Sequence, residues 1–361
     1  MNLYNSHTYL DDLDIIIKNF PIINELQGNS ILITGATGLI CSAVADLLLR
    51  YNETVNEVIH VYVAGRDENR AKNRFNRYCN KPYFHFVKYD ATSHNGFPFH
   101  FDYIVHGASN AAPVDFQAHQ IDTMLDNFNG LYELLSYAEK HAVKSTLFIS
   151  SSEVYGKKDT LKPFSEDEYG YVDILGPRSA YPSSKRAAET LCACFSNEKN
   201  VHTVIARPGH IYGPTAKRSD NRVSSAFAYD AADGKDLVMK SDGSQIRSYC
   251  YMLDTASAII MVLLKGNQAE AYNISNPNSV ITIREMAEML AESAGVNTSF
   301  SPPSEEEKRA FNPMKNSSLK SEKLQKLGWK GLFDAKTGLE HTVRIIREAE
   351  NECAGMNMVV C

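Results

Sequence analysis

The sequence predicts an α/β fold: a doubly wound parallel sheet with a smaller, partly discontinuous C-terminal lobe. Three observations predict it. Short apolar strands alternate with helical stretches through about residue 207, the pattern of a parallel sheet covered on both faces. The first strand runs into a Gly-rich turn and then a helix. Beyond Arg207, Gly, Pro, Ser and Asp cluster at 209–221 and 241–248, and the alternation loosens.

In chain order, residues 3–27 read as an amphipathic helical extension interrupted by Pro21. Strands are expected at 29–34, 58–64, 83–89, 103–106, 145–150 and 203–206, and helices at 41–50, 123–141 and 181–195. The apolar helix at 254–265 should return to the sheet. Thr282 with Glu285 three residues later is a capping box opening another helix. Lys320 to Trp329 holds a short helix closed by Gly328. The expected division is an extension (1–28), a sheet domain (29–207, with a return of about 249–275), a lobe (208–248 and 276–345) and a tail (346–361).

Composition narrows the class. The 361 residues are 43% hydrophobic and 22% charged, with net charge −6. No basic excess points to nucleic acid. The apolar stretch Ala256 to Leu264 is too short to span a bilayer. Asp11, Asp12 and Asp14 break any signal-peptide pattern. Seven cysteines, at 41, 79, 192, 194, 250, 353 and 361, show neither disulfide nor zinc spacing. An odd count fits a reducing cytoplasm, so a cytoplasmic protein without metal is expected.

Ile31-Leu32-Ile33-Thr34-Gly35-Ala36-Thr37-Gly38-Leu39-Ile40-Cys41 passes from strand into helix. Gly35 allows the tight turn. Gly38 lets the amides around Thr37, Leu39 and Ile40 approach a pyrophosphate at the positive helix end. The turn therefore marks a Rossmann-like dinucleotide site, with Cys41 where a third glycine is usual. Arg66, after the second strand, suits adenine or a 2′-phosphate, and Asp67 a ribose. NAD is expected, with NADP open because of Arg66. Asp90 and Ala91 should contact adenine. Ala108, Ser109 and Pro208 should line the cofactor, and Asn110 should face the substrate.

Tyr181 and Lys185 are four apart on a predicted helix and so share one face. An ammonium beside a phenol favours phenolate. A hydroxyl from Ser151 completes an acid–base device for oxidising a sugar alcohol.

These residues resemble the extended short-chain dehydrogenase/reductase family, in its nucleotide-sugar epimerase, dehydratase and decarboxylase branch. The resemblance rests on Thr34-Gly35-Ala36-Thr37-Gly38, on Ser151-Ser152-Glu153-Val154-Tyr155-Gly156, on Gly176-Pro177-Arg178-Ser179-Ala180-Tyr181 through Lys185-Arg186, and on Tyr212-Gly213-Pro214 and Asp242-Gly243-Ser244-Gln245-Ile246-Arg247. It implies a nicotinamide cofactor reduced and reoxidised within one turnover. It implies catalytic Ser151, Tyr181 and Lys185, with Glu153 acting at C5. It also implies Arg247 and Arg222 on a nucleotide diphosphate, Ser152 and His210 on the substrate, and a homodimer. Apolar stripes including Met124, Phe128, Leu131, Leu134 and Leu135 would build a four-helix interface or face the sheet.

Gly-Pro-Arg before Tyr181 is most similar to UDP-glucuronate decarboxylases. Pro182-Ser183-Ser184 departs from their acidic stretch, and His210 replaces a usual asparagine. Many 4,6-dehydratases carry Asp-Glu where Ser152-Glu153 stands. The expected order is decarboxylation, then 4,6-dehydration, then 4-epimerisation. An NADPH-dependent reductase and a dinucleotide-sensing protein are the readings of another class.

Overall fold

The computed structural model describes the chain except residues 94, 110, 112, 159–160, 305–313 and 357–361; side chains at 113–115 and 351–356 are also outside the description. The expected substrate contact Asn110 therefore lies outside the described residues.

The chain opens with α1 (His7–Asn19), capped by Ser6 and stopped before Pro21. The sheet half contains β1 (Ser30–Thr34), α2 (Leu39–Tyr51), β2 (His60–Gly65), α3 (Glu68–Arg74), β3 (Phe84–Lys88) and β4 (Tyr103–His106). It continues with α4 (Pro113–Ala118), α5 (Gln120–His141), β5 (Ser145–Ile149), α6 (Ala180–Lys199) and β6 (Thr203–Pro208). Next come β7 (His210–Tyr212), α7 (Val223–Ala232), β8 (Leu237–Met239), β9 (Ile246–Tyr251), α8 (Met252–Lys265) and β10 (Glu270–Ile274). The last elements are β11 (Val280–Thr282), α9 (Ile283–Ala294), β12 (Thr298–Phe300), α10 (Glu322–Lys326) and α11 (Ala335–Met356).

Seven strands form one parallel sheet in the order β10-β6-β5-β4-β1-β2-β3. Alternation along β1 explains its two covers. Ile31 and Ile33 join the core that contains α2 and α8, while Leu32 joins the one that contains α5 and α6. Strand order reverses between β1 and β4, and ligands of such sheets bind outside the carboxyl ends at that point.

The lobe is built from a three-stranded sheet, β11-β9-β7, and the pair β12-β8. The Thr282–Glu285 capping box opens α9. Where the sequence suggests a tail from 346, α11 runs on to Met356, with Ile346 and Ala349 buried. No helix among the described residues is long and apolar enough to cross a membrane, and no group of three or more possible metal ligands occurs among them.

Candidate active site

The loops at the carboxyl edge of the sheet gather most of the sequence-predicted residues. Gly35 has φ 67°, and a Cβ there would lie 2.7 Å from the Gly107 carbonyl oxygen and 2.8 Å from the Ala108 nitrogen. Only glycine lets the β1 and β4 loops touch across the reversal. Gly38 caps α2, its amide donating to the Gly35 carbonyl at 2.9 Å, with no side-chain cap. The first-turn amides, including those of Leu39 and Ile40 after Thr37, thus lack a side-chain acceptor and suit an anion. Cys41 is matched to its surroundings. A Cβ on Gly107 would collide with its sulfur, so a small residue has moved from one partner to the other. Burial pushes the Cys41 thiol up to about 12, which keeps it inert.

Thr34 ties the two loops together. Its Oγ1 accepts from the amides of Gly107 (3.2 Å) and Ala108 (3.3 Å) and lies 2.7 Å from His106 Nδ1. Burial, with Lys185 nearby, pushes His106 down to about 3. The imidazole is therefore neutral. The buried Ser109 Oγ has no partner among the described residues.

Arg66 is exposed at the end of β2. Asp67 caps α3 instead of facing the cleft, Oδ1 accepting from the Arg70 amide at 3.0 Å. Asp90 folds its own loop, accepting from the Thr92 amide (3.0 Å) and hydroxyl (2.8 Å). Those bonds, with Arg66 adding a smaller pull, hold its carboxyl below the usual range. Ala91 packs on α5 where Gly130 leaves room; a Cβ there would sit 2.8 Å from the Ala91 Cβ. Pro208 ends β6 beside Ile274.

Tyr181 and Lys185 lie in the first turns of α6. Tyr181 is buried, and burial raises its phenol to about 12, against a hydrogen bond from Ser151 that lowers it. Ser151 caps the 3₁₀ turn Ser152–Tyr155, accepting from the Glu153 amide at 3.2 Å. Lys185 donates to the Ile149 carbonyl at 2.9 Å, and its Nζ lies 5.7 Å from the centre of the Tyr181 ring. Burial pushes its ammonium down to about 7, with Glu189 pulling it back up. In the chain by itself the phenol is protonated at neutral pH, because its own burial outweighs the Ser151 hydrogen bond.

Glu153 stands at the mouth, its Oε1 3.7 Å from Arg178 Nη2. Sequence motifs flagged Arg178 without a role. Phe116 gave no signal, yet its ring stacks on Tyr181 at 4.9 Å and 9°, with the Arg178 guanidinium 5.5 Å from its centre. Across the cleft, Arg247 is buried and donates to the Ile246 (2.9 Å) and Met314 (3.1 Å) carbonyls. Burial pulls its guanidinium below the usual value, opposed by Tyr249 and Glu153. His210 has a buried Nδ1 with no partner among the described residues. Burial, then Arg247 and Arg222, push it down to about 3. Arg222 is gripped by Asp220, which accepts Nε at 3.0 Å and also Nη2. Ser152 lies half-buried beside Glu153.

Beneath this layer, Glu189 accepts from Arg207 Nε (2.9 Å) and Nη2 (2.6 Å) and from the Ser150 hydroxyl (2.5 Å). Arg207 also reaches the Tyr155 hydroxyl at 3.0 Å, and that hydroxyl donates to Asn273 Oδ1 at 2.5 Å. A buried ion pair this fully bonded fixes the ends of β5 and β6 under the cleft. In the sequence Arg207 marks only the point beyond which the strand–helix alternation loosens.

The sequence model of the NAD dependent epimerase/dehydratase family matches residues 31–275. UDP-glucuronic acid decarboxylase 6 of Arabidopsis thaliana is 31% identical over 264 residues, 73% of each chain. UDP-glucuronic acid decarboxylase 1 of Xenopus tropicalis is 28% identical over 330 residues, 90% of this chain and 74% of that one. Among solved structures, UDP-glucose 4-epimerase of Thermotoga maritima with UDP-glucose superposes with a TM-score of 0.74 at 23% identity, covering 89% of this chain and 99% of that one. The NAD complex of dTDP-glucose 4,6-dehydratase from Bacillus anthracis gives 0.73 at 22%, covering 90% and 98%. Both share the fold. With the match spanning the whole sheet and the loops at its carboxyl edge, the chain belongs to the NAD dependent epimerase/dehydratase family.

Proposed function

We propose that this enzyme oxidises C4 of a nucleoside-diphosphate uronic acid and releases carbon dioxide, as a UDP-glucuronate decarboxylase. The observation that supports it is the meeting of Ser151, Glu153 and Tyr181 at one mouth, flanked by arginines, in a chain whose curated relatives include UDP-glucuronic acid decarboxylases. The glycine cradle, the uncapped start of α2 and a Ser109 hydroxyl without a partner among the described residues fit a dinucleotide. Arg66, exposed at the end of β2, is the residue we assign to the adenine or a 2′-phosphate, leaving NAD and NADP both open. A nicotinamide held by these residues would supply reversible hydride acceptance at C4, so the reaction would have no net oxidation.

The Tyr181 phenol, lowered by Lys185 and by the positive charge that a bound oxidised nicotinamide would add, would give up its own proton and so be able to take that of the 4-hydroxyl, with Ser151 sharing it through the hydrogen bond between them. Lys185 supplies positive charge behind the ring. The resulting 4-ketone with a 6-carboxylate is a β-keto acid. Its C5–C6 bond breaks, the electron pair moves to the C4 oxygen as an enolate, and carbon dioxide leaves. Tyr181 and Ser151 hydrogen-bond that oxygen, and C5 then regains a proton. That proton comes from solvent, and Glu153 is the group we assign to deliver it. Arg222, Arg247 and His210 hold the diphosphate and sugar, with Asn110 and Ser152 completing the substrate contacts. His210 works as a neutral donor because burial keeps it uncharged. Two copies assemble through the outer face of α5.

Mass spectrometry of products from UDP-glucuronate and from neutral nucleotide sugars tests this reading. Loss of carbon dioxide from the uronate is expected. Loss of water from a neutral sugar would instead make the enzyme a 4,6-dehydratase with Glu153 as its C5 base.

A further inference from the structure

Beneath Tyr181, Lys185 and Ser151 lies a buried layer that the chemistry above leaves unused. Tyr181, Lys185 and Glu189 follow one another at four-residue steps along α6 and share one face. That face grips three consecutive residues at the end of β5. Lys185 donates to the Ile149 carbonyl at 2.9 Å, Glu189 accepts from the Ser150 hydroxyl at 2.5 Å, and Tyr181 is hydrogen-bonded to Ser151. The Ser150 amide donates to the Ala206 carbonyl of β6 at 2.8 Å. Ser150 is thus held by the sheet through its backbone and by the helix through its side chain, between the two residues that touch Lys185 and Tyr181.

A carboxylate one turn from an ammonium ordinarily pairs with it. Here Arg207 takes the carboxylate in a fork, Nε donating to Oε1 at 2.9 Å and Nη2 to Oε2 at 2.6 Å. The other Arg207 donors end on the Tyr155 hydroxyl (3.0 Å), the Glu166 carbonyl (2.8 Å) and the Tyr169 hydroxyl (3.0 Å). All five N–H groups of the guanidinium are therefore placed, and Glu189 has no slack to swing toward Lys185. The titratable groups around Lys185 are Glu189, Cys41, Cys192, His106 and Tyr181. Burial keeps the two thiols, the imidazole and the phenol uncharged at neutral pH, so among them the Glu189 carboxylate is the charge that Lys185 faces.

Resting on proton transfer by Tyr181, and not on which nucleotide sugar is converted, we propose that Ser150 and Glu189 are a positioning pair: Glu189, locked by Arg207, pins the Ser150 hydroxyl and thereby sets the Ile149 carbonyl against Lys185 and the Ser151 hydroxyl against Tyr181. Both act through the residues they hold.

Ser150→Ala tests the pair, because it removes the hydroxyl and leaves the Arg207–Glu189 fork in place. It is compared with wild type, both loaded with NAD, on the nucleotide sugar that wild type converts; circular dichroism and NAD affinity should be unchanged. The kcat should fall about 10- to 100-fold while KM stays within about twofold. A second readout needs no turnover: carbon-13 NMR of lysines labelled at Cε, with the Lys185 signal identified by its loss in Lys185→Met. Its titration midpoint should be lower in Ser150→Ala than in wild type, because the carbonyl that solvates the ammonium is no longer pinned. A kcat equal to that of wild type would overturn the pair. If wild type converts no sugar offered, the midpoint decides alone, and equal midpoints overturn it. Conversion of a neutral nucleotide sugar with no carbon dioxide from UDP-glucuronate overturns the decarboxylase reading only, and the pair is then judged by the same kcat comparison on that sugar.

Discussion

Lys185 carries a stability cost beside its proposed role. Its Nζ sits 4.6 Å from the Phe148 ring centre and has one carbonyl acceptor, and burial lowers its pKa from 10.5 to about 7. Between those values the unfolded chain binds a proton that the folded chain does not. Stability from this group therefore rises with pH through that window, and the full penalty is present below it. Lys185→Met should be more stable than wild type near pH 7, with the gap closing as pH approaches about 10. Denaturant midpoints of both proteins across that range check the slope; a gap independent of pH contradicts it. Residue identities at the cleft were legible because spacing and turn chemistry are local. Gly35, Ser151, Tyr181 and Lys185 announce themselves within a few neighbours. Phe116 did not, because its meaning lies in Tyr181, 65 positions away, which only the fold brings near.

At the scale of elements, α5 has two apolar faces. Leu131, Leu134 and Leu135 are buried against the sheet, while Ile121, Leu125 and Tyr132 are 74%, 52% and 55% exposed. Met124 and Phe128, grouped with the inner leucines by spacing alone, belong to the outer face, at 41% and 39%. A 3.6 period shows that a stripe exists but not which stripe meets the sheet. An outer stripe this apolar is what a helical dimer seam requires. Leu125→Asp should convert the proposed dimer into a monomer without changing the circular dichroism spectrum. Light scattering decides: a wild-type mass of one 40.3 kDa chain at micromolar concentration contradicts the seam. The long strands and helices of the sheet were readable from alternation. The three-residue strands β7, β8, β11 and β12 were not, because three residues hold no period and their pairing is set by distant partners.

On the scale of the whole molecule, the N-terminal segment straps the two halves together. Tyr4, Tyr9 and Arg74 converge on the buried Asp46 of α2. Asp12 accepts from the Tyr251 hydroxyl of β9 at 2.8 Å and lies 2.8 Å from His341 Nδ1 of α11. Glu348 of α11 accepts from the Ser6 (2.6 Å) and Thr8 (2.9 Å) hydroxyls. Leu13 is fully buried between these anchors. Leu13→Ala should cost about 2–5 kcal/mol. The single tryptophan, Trp329, buried and donating to Ser257 at 2.9 Å, reports whether the lobe unfolds with the strap. A fluorescence midpoint unmoved by the substitution would show that the strap is independent of the lobe. The amphipathic start of the chain was legible, but its docking partners were not, since they lie 37 residues or more away in α2, 239 away in β9 and more than 300 away in α11.

The central claim is that the phenol of Tyr181 performs proton transfer at C4, and its most direct test is product formation by Tyr181→Phe. The account predicts an intact fold, retained dinucleotide binding and a fall in turnover of roughly 10²–10⁴-fold. Turnover within a few-fold of wild type would contradict it.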